Sequence, residues 1–390
     1  MTGDFSIGVE EEFQLVDRES GALADRVEDV FPAAHDRVDD DVSHELQLAQ
    51  IEIGTPVCRS LDDVRAELVR LRTEVGAAAA ERGLAIVAAG SHPLPSIGGR
   101  DITDEPDYQL IAEQYAHLAR EQVVFGCHVH VGIADRELAV AALNHARPWL
   151  SVLLALSTSS PFWDGLDTGY ASYRSVVFAR WPTAGPPELF ASRADYDEVV
   201  RQLVDTGSID DPARIYWDAR PSARYETIEV RVADVCTSID DAVLVAGLTG
   251  ALLRHGAQAA LAGVAPPPAR PELLRAARWR AARYGLSEDL VVATEARSAP
   301  AADVVRALLA VVRPALEDWG ELERVTGLVA QVLARGTSAQ RQRQLVERGA
   351  TLTDVVDWLV AETAGAPNTS SNIIPSHRTD VQETNLDQGR

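Results

Sequence analysis

Three short segments set acids, imidazoles or a guanidinium at two-residue spacing inside otherwise apolar runs. In GVEEEF, residues 8–13, Glu10 and Glu12 share one face of an extended strand. In FGCHVHV, residues 125–131, His128 and His130 fall on one face and Cys127, Val129 and Val131 on the other. In TIEVRV, residues 227–232, Glu229 and Arg231 lie opposite Ile228, Val230 and Val232. A fourth segment offers Glu45 and Glu52, seven positions apart. An odd spacing on a regular strand sends the two to opposite faces, so they serve one site only where a bulge or turn intervenes.

Each pattern alone is ordinary. An acid-x-acid strand is commonly a solvated sheet face, His-x-His is commonly packing, and a buried Glu-x-Arg is commonly an internal ion pair. Together they demand more. Carboxylates roughly 5 Å apart repel by about 3 kcal/mol per pair at an effective dielectric near 20. They must be solvated apart, protonated, or bound to cations. An oxygen-rich set with an occasional imidazole suits Mg²⁺ or Mn²⁺, which bridge carboxylates to nucleotide phosphates. A zinc hydrolase calls for more His or Cys.

Periodicity supplies the elements that would carry these residues. Strands are expected over 6–16, 45–53, 84–89, 123–133 and 224–233. A helix opens at Ser60, with Asp63 three residues on as a capping pair, and closes at Gly83. Further helices are expected over 108–120, from Asp135 with a bend at Pro148, and over 192–206 and 239–261. Residues 157–187, rich in Gly, Pro, Ser and aromatics, read as a long working loop. After Pro266-Pro267-Pro268 the chain reads as helical from 271 to 363, and the polar stretch 366–390 as a disordered tail. Strands confined to the first 235 residues, with helices after them, indicate α+β with one sheet. The expected organisation is a single catalytic domain over 1–365, strand-rich to 235 and helical from 236. The helical third is expected to pack on the sheet, and homo-oligomer formation is left open.

Composition narrows the chemistry. All 36 basic residues are Arg, and no Lys occurs in the 390. A P-loop, a protein kinase and a pyridoxal enzyme each require a Lys, so all three are excluded. A net charge of −23 argues against a nucleic-acid partner or an anionic membrane surface. Three widely spaced cysteines, Cys58, Cys127 and Cys236, form neither a disulfide framework nor a zinc ribbon. The opening residues carry no charged-then-apolar leader, and the apolar run 242–264 is interrupted by Arg254, His255 and Gln258. A cytoplasmic location is the expectation.

With these residues in place, the sequence resembles the bacterial carboxylate–amine ligases known as type 2 glutamate–cysteine ligases. The resemblance rests on GVEEEFQLVD, ELQLAQIEIGTP, GSHP, GCHVHVGI, SSPFWDGLDTGYASYR, WPTAG and YWDARPSARYETIEVRVADVCT, in that order over about residues 5–360. It implies a glutamine-synthetase-like fold: a curved, mainly antiparallel sheet forming a funnel, backed by helices. It implies ATP and Mg²⁺ (or Mn²⁺), with metal ligands Glu10, Glu12, Glu45, Glu52, His128 and Glu229, and with His128 favoured over His130. It also implies that Arg231 lies beside the transferred phosphoryl group, where a guanidinium fork is apt. In a chain without Lys, Arg must supply substrate-carboxylate contacts; Arg174 and Arg220 are the candidates. Trp217, with Trp163 and Tyr170, is a candidate pocket wall.

The reaction so implied joins an amino-acid carboxylate, that of glutamate, to the amine of cysteine. The carboxylate takes the γ-phosphate of ATP, and the amine displaces phosphate from the acyl phosphate. Its partners are small molecules, and the 157–187 loop is a candidate lid against water. Three alternatives stand beside it: a ligase or kinase of the same fold acting on another carboxylate or amine, a metal-dependent hydrolase indifferent to ATP, and a non-catalytic protein with merely solvated acids.

Overall fold

Alternation of Ile7, Val9, Phe13 and Leu15 with polar residues gives the first strand one dry face, and that face decides where the strand goes. The computed structural model describes residues 5–95 and 101–365; the expected tail at 366–390 lies outside the described residues. The strands are β1 (Ile7–Asp17), β2 (Val42–His44), β3 (Gln50–Gly54), β4 (Leu84–Val87) and β5 (Gly126–Gly132), the two-residue pair β6 (Phe162–Trp163) and β7 (Leu166–Asp167), β8 (Ala219–Pro221), β9 (Thr227–Asp234), and β10 (Asp289–Val292) with β11 (Arg297–Pro300). Seven of them form one sheet in the order β2-β3-β1-β5-β9-β8, with β4 also on β1, and its pairings are antiparallel. The antiparallel sheet backed by helices matches the expected class.

Helices Leu61–Ala80 and Ile239–Leu261 cover the dry face, packing on β1, β4 and β5. The first opens as expected: Ser60 Oγ accepts from the Asp63 amide, and the Asp63 side chain accepts from the Ser60 amide. Its apolar stripe, Leu61, Val64, Leu68, Leu71 and Val75, is fully buried, so truncating one such leucine to Ala costs about 2–5 kcal/mol. The second helix is apolar nearly all round and lies at the centre of the core. Gly256 lets helix Arg136–Ala146 cross it closely, since a Cβ there would stand 2.7 Å from the Ala142 carbonyl oxygen. Of the helical third, Ala301–Trp319 and Leu322–Arg335 pack on Ile239–Leu261 and not on the sheet as expected, and Leu352–Thr363 packs on β4.

Pro148 acts as expected: Arg136–Ala146 gives way to a 3₁₀ turn at Arg147–Trp149 and resumes as Leu150–Ser157. Residues 136–157 are long and apolar enough to cross a membrane, but 83% of their most apolar window is buried in the protein.

Several boundaries differ from the periodicity. Residues 45–53 are not one strand: β2 and β3 form a hairpin whose turn carries Glu45. The helix expected over 108–120 breaks at Ala116, which has φ 51°, into Pro106–Tyr115 and His117–Arg120. The helical third is interrupted by the β10–β11 hairpin, so strands are not confined to the first 235 residues. That hairpin is short and lies beside helix Pro271–Tyr284, which supplies the packing its own sequence lacks.

Candidate active site

The wet face of the sheet gathers the acids and imidazoles in register. Glu10 pairs with His128, Glu12 with Glu52, His130 with Glu229, and Arg220 with Glu229, so four strand-to-strand contacts link β3 to β8. Glu45 joins from the turn between β2 and β3, as the odd spacing to Glu52 required. Ligand atoms of Glu10, His128 and Glu229 lie within 4.8 Å of one another, and so do those of Glu12, Glu45 and Glu52. The six residues inferred as a ligand set therefore fall into two groups of three. His130 lies beside them, its Nδ1 2.9 Å from Thr227 Oγ1 and its Nε2 3.2 Å from Glu10.

A bulge shapes the β9 side. Between Cys127 and Val129 the register slips by one residue, leaving Arg231 and Val232 opposite His128. Arg231 pairs with Glu229 on the site face.

The two groups differ electrically. Burial pushes the Glu229 carboxyl up, but the Arg231 and Arg220 guanidiniums outweigh it and hold it at about 2. Burial likewise opposes ionisation of Glu10, and hydrogen bonds to His128 and His130 hold it well below the usual carboxylate range. Glu45 is pushed up to about 7 by burial and then by the charge of Glu12. Glu52 is pushed well above the usual range by burial and by Glu10, Glu45 and Glu12. The first group thus has its charge balanced by arginines and imidazoles, whereas the second is short of positive charge.

The donor set fits a divalent cation. Three carboxylates crowded within 4.8 Å, with two of their protons held abnormally tightly, are what hard oxygen-seeking ions relieve. The first group adds one imidazole, and His128 Nε2 is buried without a hydrogen-bond partner. Neither group holds the multiple His or Cys of a zinc centre.

A cavity of about 60 Å³ adjoins the second group, lined by Glu12, Glu45, Gln50, Gln122, Arg174 and Arg231 with an apolar wall that includes Phe178, Trp181 and Tyr216. Arg174 therefore reaches the site. Arg220 is held by its own neighbours, donating to Glu229 Oε2 at 3.0 Å and to the Pro212 and Ala213 carbonyls at 3.2 and 2.6 Å. Trp217 packs with Phe190 and Tyr196 at 5.5 and 5.9 Å, away from the cavity wall. The aromatic that lines the cavity is its neighbour Tyr216, with the Arg231 guanidinium 5.7 Å from its ring centre. Trp163 and Tyr170 flank Tyr173 on the 157–187 loop.

That loop is fastened rather than loose at its entry. Asp234, fully buried at the end of β9, accepts from the Ser159 amide at 3.0 Å and from the Ser160 and Ser172 hydroxyls, both at 2.7 Å. Gly90, in the GSHP turn, is needed beside it, because a Cβ there would stand 2.8 Å from Asp234 Cγ. His92 of the same turn ties to β1 through Gln14, 2.8 Å away. Neither Asp234 nor Gln122 was singled out from the sequence; ending a strand at an acid is too common to signal a role.

The dry face hides another acid. Glu11, between Glu10 and Glu12, points into the core and is gripped by Arg72 through bonds of 2.8 and 2.6 Å. Cys127 is buried on that same dry face, opposite Ala233 and away from His128.

Comparisons with known proteins bear on the family and the fold. The model of glutamate–cysteine ligase family 2 matches residues 6–360. A Salinispora arenicola protein, provisionally named glutamate–cysteine ligase 2, is 44% identical over 367 residues, covering 93% of this chain and 96% of its own length. A Frankia casuarinae protein with a similar provisional name is 43% identical over 363 residues, and the chain spans 42% of that relative's length. Among solved structures, a Francisella tularensis glutamate–cysteine ligase in complex with AMP superposes with a TM-score of 0.66 at 12% identity, over 93% of this chain and 88% of that one.

Proposed function

Because the chain belongs to glutamate–cysteine ligase family 2, we propose that it uses ATP to join a carboxylate to an amine, with glutamate and cysteine as the acid and the amine. The observation that carries the reading is the pair of three-residue groups on one sheet face, each with ligand atoms within 4.8 Å. Glu12, Glu45 and Glu52 would hold one divalent ion, and Glu10, His128 and Glu229 another. Bound there, Mg²⁺ or Mn²⁺ supplies charge neutralisation to phosphate oxygens.

The chain's own residues do the rest. Arg231, half-buried and aligned by Glu229, offers a fixed guanidinium to charge that grows on a transferring phosphoryl group. Arg231 and then Arg220 keep Glu229 ionised, so that carboxylate can serve as a ligand at neutral pH. The loop fastened by Asp234 and the apolar wall of Phe178, Trp181 and Tyr216 limit water around an acyl phosphate. No protein nucleophile is called on, and the three cysteines are buried. Small-molecule partners and a cytoplasmic setting complete the proposal.

The test is ADP release by the purified protein with Mg²⁺, ATP, glutamate and cysteine, each omitted in turn, with the product weighed by mass spectrometry. Release that needs all four and yields the dipeptide supports the full reading. Release with other acid–amine pairs alone moves the substrate and keeps the ligase. Turnover of a substrate without nucleotide overturns it in favour of a hydrolase.

A further inference from the structure

Gln122, just ahead of β5, is 3% exposed and lines the cavity beside the second acidic group. Its carboxamide is tied at one end alone. Nε2 donates to the Val177 carbonyl at 3.4 Å, whereas among the described residues nothing donates to Oε1, which is buried. Turning the amide over gives no relief, since it would set the oxygen against the Val177 carbonyl. Gln50, a second carboxamide on the same cavity wall, is satisfied at both ends: Oε1 accepts from the Gln47 amide and Nε2 donates to the Val124 carbonyl, both at 3.1 Å. A buried acceptor is costly to leave unpaired, and one on a cavity wall gains its donor when the cavity fills.

The chemistry of that donor follows from the lining. Phosphate oxygens and ionised carboxylates only accept, so neither answers Oε1. The cavity carries groups of both signs, Glu12 and Glu45 with Arg174 and Arg231, which suits a zwitterion more than a simple anion. An amino acid meets both conditions, because its ammonium brings three N–H donors. Glu12 and Glu45 also favour a donor that is positive, as an ammonium is and an adenine amine is not.

We propose that Gln122 is a specificity-determining residue for the acid substrate: its Oε1 accepts a hydrogen bond from the α-ammonium, and so selects an α-amino acid over the same acid without its amine. The inference rests on the ligase reading for the identity of that substrate. The rival explanation is a structural carboxamide whose oxygen is served by water.

Glutamate and glutarate differ by that ammonium alone, so a cycle over two ligands and two proteins separates the explanations. Binding is measured by calorimetry with Mg²⁺ and a non-hydrolysable ATP analogue. The unaltered protein is expected to bind glutamate about tenfold or more tighter than glutarate; equal affinities overturn the proposal without any variant. Gln122→Met keeps the length and removes the acceptor. It is expected to weaken glutamate about 10- to 100-fold and glutarate by about twofold at most. Gln47→Met is the matched control: Gln47 Oε1 is likewise buried without a donor, but Gln47 does not line the cavity, so the glutamate-to-glutarate ratio should hold. Equal weakening of both acids by Q122M, a ratio that Q47M shifts as far, or a loss confined to the ATP analogue overturns the proposal. The ligase reading fails separately: a protein that binds glutamate yet releases no ADP with any acid–amine pair is not a ligase, and the ratio still judges Gln122. A protein that binds neither acid overturns the assignment of Gln122.

Discussion

Glu12 and Glu52 stand directly opposite each other across β1 and β3. Like charges in paired positions of one sheet face repel, and Glu45 adds a third within 4.8 Å. The trio meets less positive charge than Glu229 does: His128 Nε2 lies 3.5 Å from Glu12 and Arg231 acts on Glu45 from further off, whereas Arg220 and Arg231 both pair with Glu229 directly.

The first prediction is that Mg²⁺ binding is linked to proton release. The folded-state pKa of Glu45, about 7, and that of Glu52, raised by burial and by Glu10, Glu45 and Glu12, lie above the ordinary 4.5 of the unfolded chain. Between those values the folded protein binds more protons than the unfolded one, so in the absence of added cation their contribution to stability falls as pH rises. A bound cation needs both carboxylates ionised and reverses that penalty. The Mg²⁺-induced rise in Tm should therefore grow from about pH 5 to about pH 8. A Tm increment independent of pH over that window would count against the trio as a ligand set.

Two carboxylates on this floor should respond with opposite signs to the same change. Glu52→Gln relieves repulsion and is expected to raise cation-free stability by about 1 kcal/mol while lowering Mg²⁺ affinity at least tenfold. Glu229→Gln leaves buried Arg220 and half-buried Arg231 without their shared carboxylate and is expected to cost about 3–5 kcal/mol. Urea denaturation with and without Mg²⁺ reads both. Equal destabilisation by the two changes would show that the groups do not differ in charge balance.

Glu11 carries a third prediction, and it concerns the fold. Glu11→Ala leaves Arg72 buried among the Thr237, Cys236 and Thr363 carbonyls without its carboxylate, at about 3–5 kcal/mol. The double change Glu11→Leu with Arg72→Met removes both charges and should recover most of that loss. Chemical denaturation of the three proteins checks it; a double variant no more stable than E11A would mean that packing, not charge, decides the site.

Glu10, Glu11 and Glu12 also mark what the sequence could and could not convey. Strand alternation is a local property, so Glu10, Glu12, His128, His130, Glu229 and Arg231 were legible as one face. Glu45 was legible only conditionally, since its place depends on a turn that apolar spacing does not encode. Glu11 was not, because its partner Arg72 is 61 residues away on a helix. Tyr216 and Trp217 look alike in sequence, and only the path of the chain decides which ring reaches the cavity. The β10–β11 hairpin escaped for a similar reason, being held by tertiary packing more than by its own pattern.

The last prediction concerns Asp234, which acts on the site through the loop it fastens. Its carboxylate binds three donors from Ser159, Ser160 and Ser172, residues 62 to 75 positions away, and Ser160 passes the restraint to the Arg174 amide. Burial pushes its pKa up while Arg174 and the serine donors pull it back. Asp234→Asn keeps the size but swaps one acceptor for a donor, so one of those donors must lose its partner, at about 1–3 kcal/mol. Freed to move, the loop would let Arg174 leave the cavity. The expected signature is a raised KM for a substrate that enters the cavity lined by Arg174, with a smaller change in kcat, and faster amide hydrogen exchange over residues 159–175. Asp234→Glu should rescue neither, because the longer chain would be driven towards Gly90, where even a Cβ has no room. A variant with faster exchange but unchanged KM would separate the loop from the chemistry and reduce Asp234 to a stabiliser of the fold.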